Sequence, residues 1–70
     1  MTHDAICETL LAALVDGRSL TPWDASLLAP LRFVPVIHIL QALADLESRG
    51  EIEAEGPIEC GAAFRRKVAA

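Results

Sequence analysis

Apolar residues recur at helical spacing through most of this chain and then, past Gly50, at every second position. Ile6, Leu10, Ala13 and Leu14 fall at i, i+4, i+7 and i+8, which lines one side of a helix over about residues 5–16. Asp4 stands where an N-cap is expected, and Gly17 where a left-handed residue commonly ends a helix. Thr21-Pro22-Trp23-Asp24 marks a second start. Thr21 can accept from free backbone amides, Pro22 is pre-set for the first helical position, and Asp24 can complete a capping box. This second helix covers about residues 22–29, with Leu27 and Leu28 turned inward and Pro30 ending it. Val36, Ile39, Leu40, Leu43 and Leu46 converge on one face of a third helix, about residues 35–49, which Gly50 closes. His38, Gln41, Asp45, Ser48 and Arg49 fall on its other face, and Ile37 is a surplus apolar residue at the edge.

The period then changes. Glu51-Ile52-Glu53-Ala54-Glu55 alternates as a half-buried strand does, Gly56-Pro57 and Gly61 are turn residues, and Phe64 through Val68 alternates again. These segments predict a two-stranded hairpin over about residues 51–68, which must pack on the helices because an isolated hairpin is marginal in water. The expected architecture is mainly α with a small β-hairpin, in one domain over residues 1–70.

Composition agrees with a packed fold, since 53% of the residues are hydrophobic and mean hydropathy is +0.38. No apolar run approaches the roughly 20 residues that span a bilayer, and residues 1–4 lack a basic leader, so the expected placement is cytoplasmic, with no membrane partner. In that compartment Cys7 and Cys60 are expected to stay reduced. Ten acidic residues against six basic ones give a net charge of −4. Domains that grip nucleic acid usually carry the opposite sign, because releasing counterions from phosphates supplies their affinity.

Three helices with a short, capped second one, followed by a hairpin, resemble the winged helix-turn-helix family. The matching residues are Ser19-Leu20-Thr21 before the short helix and Leu28-Ala29-Pro30-Leu31 as the turn. Leu43, Leu46, Gly50 and Ile52 match the family's end of the recognition helix and strand start, and Phe64-Arg65-Arg66-Lys67-Val68 the returning wing strand. The resemblance implies a third helix that enters the DNA major groove and a wing that touches the backbone. Base reading needs donors and acceptors near the start of that helix. Here Phe33-Val34-Pro35-Val36-Ile37-His38 offers one imidazole, with Gln41 a turn later.

Two functions from different classes follow. In the first, an apolar and acidic surface docks on another protein or nucleoprotein complex, or on a second copy in a homodimer. Phe33 and Val36 are expected to pack inward, whereas Val34, Pro35 and Ile37 together are harder to bury. The candidate binding residues are therefore Val34, Pro35, Ile37, His38 and Gln41, flanked by Glu51, Glu53 and Glu55. Size and acidity are similar to those of small inhibitors carried by phages and mobile elements, anti-CRISPR proteins among them. In the second, the chain is a DNA-binding transcriptional regulator. His38 and Gln41 then meet base edges, while Arg32, Arg65, Arg66 and Lys67 hold phosphates. The bland alternative for Arg65 and Lys67 is a solubilising strand edge paired with the glutamates opposite. Trp23 is expected as a core or edge aromatic.

No cofactor is expected. His3 and Cys7 lie four apart and can share a helical face, but without a close cysteine pair the sequence predicts no metal site. Nor does it offer a nucleophile–base spacing or a phosphate-cradling glycine loop, which argues against an enzyme.

Overall fold

The computed structural model describes residues 2–15 and 17–67, with Glu59 described for its backbone alone. Helix α1 spans His3–Ala13. It starts earlier than expected because Thr2, not Asp4, is the cap: the Thr2 hydroxyl accepts from the Ala5 amide at 3.1 Å. It also ends earlier, at Ala13. The Leu14 amide closes the last turn on the Leu11 carbonyl, and Gly17, at φ 73°, belongs to the turn beyond. Asp16, the expected last residue, lies outside the described residues.

Strand β1, Ser19–Leu20, leads into α2, Pro22–Ser26. The capping box forms as its residue types require. The Thr21 hydroxyl accepts from the Asp24 amide at 3.2 Å, and the Asp24 carboxylate accepts from the Thr21 amide at 3.2 Å. Helix α2 buries Pro22 and Ala25, so Leu27, about 200° round from Ala25, faces outward and is 76% exposed. The inward placement expected for Leu27 is thus corrected, while Leu28 packs partly against the core. A 3₁₀ turn at Ala29–Leu31 carries Pro30 and buries Leu31.

Helix α3 spans Val36–Ser48, with Pro35 as its cap residue and Gly50 in the left-handed region at φ 77° just beyond its end. Ile39, Ala42, Leu43 and Leu46 are buried, and α3 packs along α1 across this stripe. Strand β2 spans Ile52–Ala54 and β3 Phe64–Arg66, joined through a 3₁₀ turn at Ile58–Cys60 that ends on Gly61 at φ 81°. Val68, expected at the end of the last strand, lies outside the described residues. The sheet is three-stranded and antiparallel in the order β1-β3-β2, where the alternation had predicted two strands. Ser19 and Leu20 pair with Arg65 and Phe64, which hides one edge of β3.

The molecule is therefore a small, mainly helical domain with three α-helices and a three-stranded antiparallel sheet. Its core gathers Leu10, Leu14, Leu31, Ile39, Leu43, Leu46, Ile52 and Phe64, each at most 2% exposed. Among the described residues no polar or charged side chain is buried, so the core is held by apolar packing alone. Both described cysteines are free thiols, Cys7 buried and Cys60 exposed. No helix of the described residues is long and apolar enough to cross a membrane.

Candidate interaction surface

The outward face of α3 is set by the stripe it buries. At about 100° per residue, the direction opposite Ile39, Ala42, Leu43 and Leu46 is occupied by Ile37, Gln41, Ala44 and Ser48. Ile37 stands at the centre of that face and is 58% exposed, rather than at its edge as periodicity suggested. Along the face there is one amide, one hydroxyl and no cation.

Around the start of α3 the apolar exposure widens. Phe33, expected to pack inward, is 96% exposed, and Val36, expected likewise, is 40% exposed. Val34 does the opposite: it is half-buried and packed against the core. The swap has a local cause. Residues 32–34 form a turn in which the Val34 amide bonds back to the Leu31 carbonyl, and Leu31 is fully buried, so the turn carries Val34 inward and Phe33 away. Pro35 is exposed.

Helix α2 adds Trp23, 69% exposed, and Leu27 one turn later. Trp23 is thus an edge aromatic. With Pro22, Val36, Leu40 and Ile58 it lines a shallow groove of about 100 Å³ between α2, α3 and the 3₁₀ turn of the β2–β3 connection. For Trp23 the edge placement was one of the two expected from sequence, whereas Leu27 fits an apolar stripe until the short helix is docked. On the other side of α3, His38 and Gln41 line a second open groove of about 220 Å³ with His3 and Ile6 of α1.

Three of the seven charged candidates, Glu51, Glu53 and Arg65, lie in ion pairs. Arg65 donates to the Glu53 carboxylate at 2.7 Å, directly across the strands, where Glu53 and Arg65 are register partners. That hydrogen bond, then the Glu53 charge itself, pushes the guanidinium further above its ordinary range. The solubilising reading of Arg65 accounts for this pair. Glu51 lies 3.8 Å from Arg49. Glu55, Arg32, Arg66 and Lys67 are exposed.

One polar cluster joins helices that sequence reading kept apart. His3 Nε2 lies 3.0 Å from Asp45 Oδ2 across the α1–α3 packing, and Arg49 Nη2 lies 2.6 Å from the same oxygen. Cys7 Sγ is 3.7 Å from His3 Nε2 and 4.0 Å from the Ala42 carbonyl oxygen. Burial pushes the Cys7 thiol up, against the opposing pull of the Arg49 charge. The hydrogen bond from His3, and after it the Arg49 charge, holds the Asp45 carboxyl below the usual carboxylate range.

A folded-state value below the unfolded one stabilises the fold above the ordinary carboxylate range, and that stabilisation is lost as pH falls through the lowered value. Asp45→Asn is therefore expected to lower the melting temperature at neutral pH, with the gap to wild type closing below about pH 4. Melting curves across pH check this, and a gap undiminished at about pH 2 would contradict it.

No protein-family model matches the chain, and no match to it was found among curated proteins or solved structures.

Proposed function

We propose that this protein is a non-enzymatic interaction module that docks on a larger protein or nucleoprotein complex through the face formed by α2, the turn after it and the start of α3. The single observation that carries this reading is that Trp23, Leu27, Phe33, Val36 and Ile37, five of the six exposed large hydrophobics among the described residues, lie on these elements, with Val15 after α1 the sixth. Fully burying one such side chain is worth roughly 1.5–3 kcal/mol, and a handful of anchors of this kind commonly carries most of the binding energy of an interface. Aromatic residues set in pockets are the usual anchors of such interfaces. The partner that fits offers apolar pockets inside a basic rim, because this chain carries a net charge of −4 and opposite charge speeds encounter. Binding and modulating or inhibiting such a complex is also what the size and acidity shared with phage-borne inhibitors, anti-CRISPR proteins included, would lead one to expect.

A DNA-binding regulator is the second reading. What favours it is the strand order β1-β3-β2, with β1 between α1 and α2 and a short capped helix ahead of α3, an arrangement in keeping with a winged helix-turn-helix. The side chains favour it less. Ile37 occupies the centre of the would-be reading face, and Arg65 and Arg49 are committed to carboxylates.

Affinity capture from the native host, with and without nuclease, separates the two. The expected result is a partner protein that survives nuclease and is not retained by a Phe33→Asp variant. Capture that vanishes with nuclease, together with duplex binding at low salt that weakens steeply as salt rises, would overturn the first reading in favour of the second.

A further inference from the structure

The cluster at the α1–α3 contact has chemistry that docking does not use. From His3, Cys7 and Asp45 we infer a zinc-binding site, with imidazole Nε2, thiolate Sγ and a carboxylate oxygen as its three protein ligands. Among the described residues this is the one group in which three ligand atoms come together, all within 4.8 Å of one another. Bonds of about 2.0–2.3 Å in a tetrahedron put neighbouring donors roughly 3.3–3.8 Å apart. Two of the separations here are 3.0 and 3.7 Å, so closing around an ion needs movements of only a fraction of an ångström to about one ångström.

The orientation of the ring argues the same way. Cys7 and Asp45 both approach Nε2 of His3. In a nucleophile–histidine–carboxylate relay the two partners sit on opposite ring nitrogens, one to give up a proton and one to hold the tautomer. Convergence on a single nitrogen is instead what ligands of a common ion do. Mixed nitrogen, sulfur and oxygen donors suit zinc, and three protein ligands leave a fourth position for water. His3 faces the open groove that it shares with His38 and Gln41, which gives that water a route in.

Binding releases the Cys7 thiol proton to solvent and shifts the His3 proton to Nδ1, so Zn²⁺ meets a thiolate, a neutral imidazole and a carboxylate. Arg49 now holds Asp45, but Glu51 stands 3.8 Å from its other nitrogen and can keep the guanidinium when Asp45 turns to the ion. The ion then staples α1 to α3. For a chain of 70 residues such a staple is a common supplement to a small core.

The test is a titration of the reduced protein with Co²⁺ as a spectroscopic probe, followed by displacement with Zn²⁺. The expected result is a thiolate-to-cobalt charge-transfer band with tetrahedral d–d bands, both bleached by Zn²⁺. Cys60→Ser keeps the band and Cys7→Ser removes it. His3→Gln, at an exposed position that leaves the core intact, weakens Zn²⁺ binding by more than about 100-fold, beyond what changes in outer-shell residues produce. Zn²⁺ at about a hundredfold over its Kd raises the melting temperature of wild type by on the order of 10 °C, and that of His3→Gln hardly at all. A wild-type spectrum without the charge-transfer band, or a band that Cys60→Ser abolishes and Cys7→Ser retains, overturns the site.

Discussion

Ile37→Asp is expected to weaken binding to the captured partner by more than about 100-fold, a loss of about 2.7 kcal/mol or more, while the free protein melts at or slightly above the wild-type temperature. The two halves of this result have separate causes. In the free protein Ile37 is 58% exposed, so its replacement opens no cavity. It lies in the first turn of α3, which has neither an acidic residue nor a side-chain cap, so a carboxylate there meets unsatisfied backbone amides and the positive end of the helix dipole. In the complex the same carboxylate is pressed into an apolar pocket without a partner, which costs several kcal/mol. Ile37→Lys sharpens the comparison. An apolar pocket rejects the ammonium as well, whereas a DNA duplex gains a phosphate contact and binds more tightly. Calorimetry or anisotropy against the purified partner reads both variants, and a Lys variant that binds as well as wild type or better sinks the docking face.

The second large effect contrasts the two phenylalanines. Phe64→Ala is expected to cost about 3–5 kcal/mol, and Phe33→Ala close to nothing. Phe64 is 1% exposed at the start of β3, the middle strand of the sheet, opposite Leu20 on one side and Ala54 on the other. Removing its ring leaves a cavity beneath all three strands. A 70-residue domain has about 3.5–10.5 kcal/mol of total stability, at about 0.05–0.15 kcal/mol per residue. The Phe64 variant thus loses a large share of it, and its melting temperature falls by more than about 10 °C. Phe33, 96% exposed, has no such surroundings to lose. Circular dichroism melts of the two variants side by side check the contrast, and equal losses would refute the placement of Phe33.

Much of the fold was legible because its signals are local. Thr21-Pro22 announces α2, Gly50 closes α3, and the alternation after Gly50 gives β2 and β3, each through residues within one or two turns of each other. A pairing of Arg65 with the glutamates opposite was also expected, but that Glu53 is its partner follows only from the register of the folded strands. The candidate surface was legible only in outline. Ile37 and Pro35 were found as apolar residues hard to bury, but Val34, grouped with them, packs against the core, while Leu27, Phe33 and Val36 were assigned to the interior and Trp23 to the core or its edge. Apolar identity reports the preference of a side chain, and for a helix as short as α2 it does not say which side the rest of the molecule covers.

What the amino-acid order determined by itself was therefore the identity of the helices, their approximate ends and the paired strands after Gly50, because hydrogen-bonding geometry and side-chain period act over a few residues. Tertiary packing decided the rest. β1 exists because β3, more than forty residues later, offers Ser19 and Leu20 an open edge, and two residues carry no period of their own. His3, Cys7 and Asp45 meet because α1 packs along α3, where Cys7 Sγ lies 4.0 Å from the Ala42 carbonyl oxygen. Phe33 faces solvent because Leu31 and Val34 take the inward positions of its turn. Each of these depends on which surfaces are covered, and coverage is a property of the assembled chain rather than of any window along it.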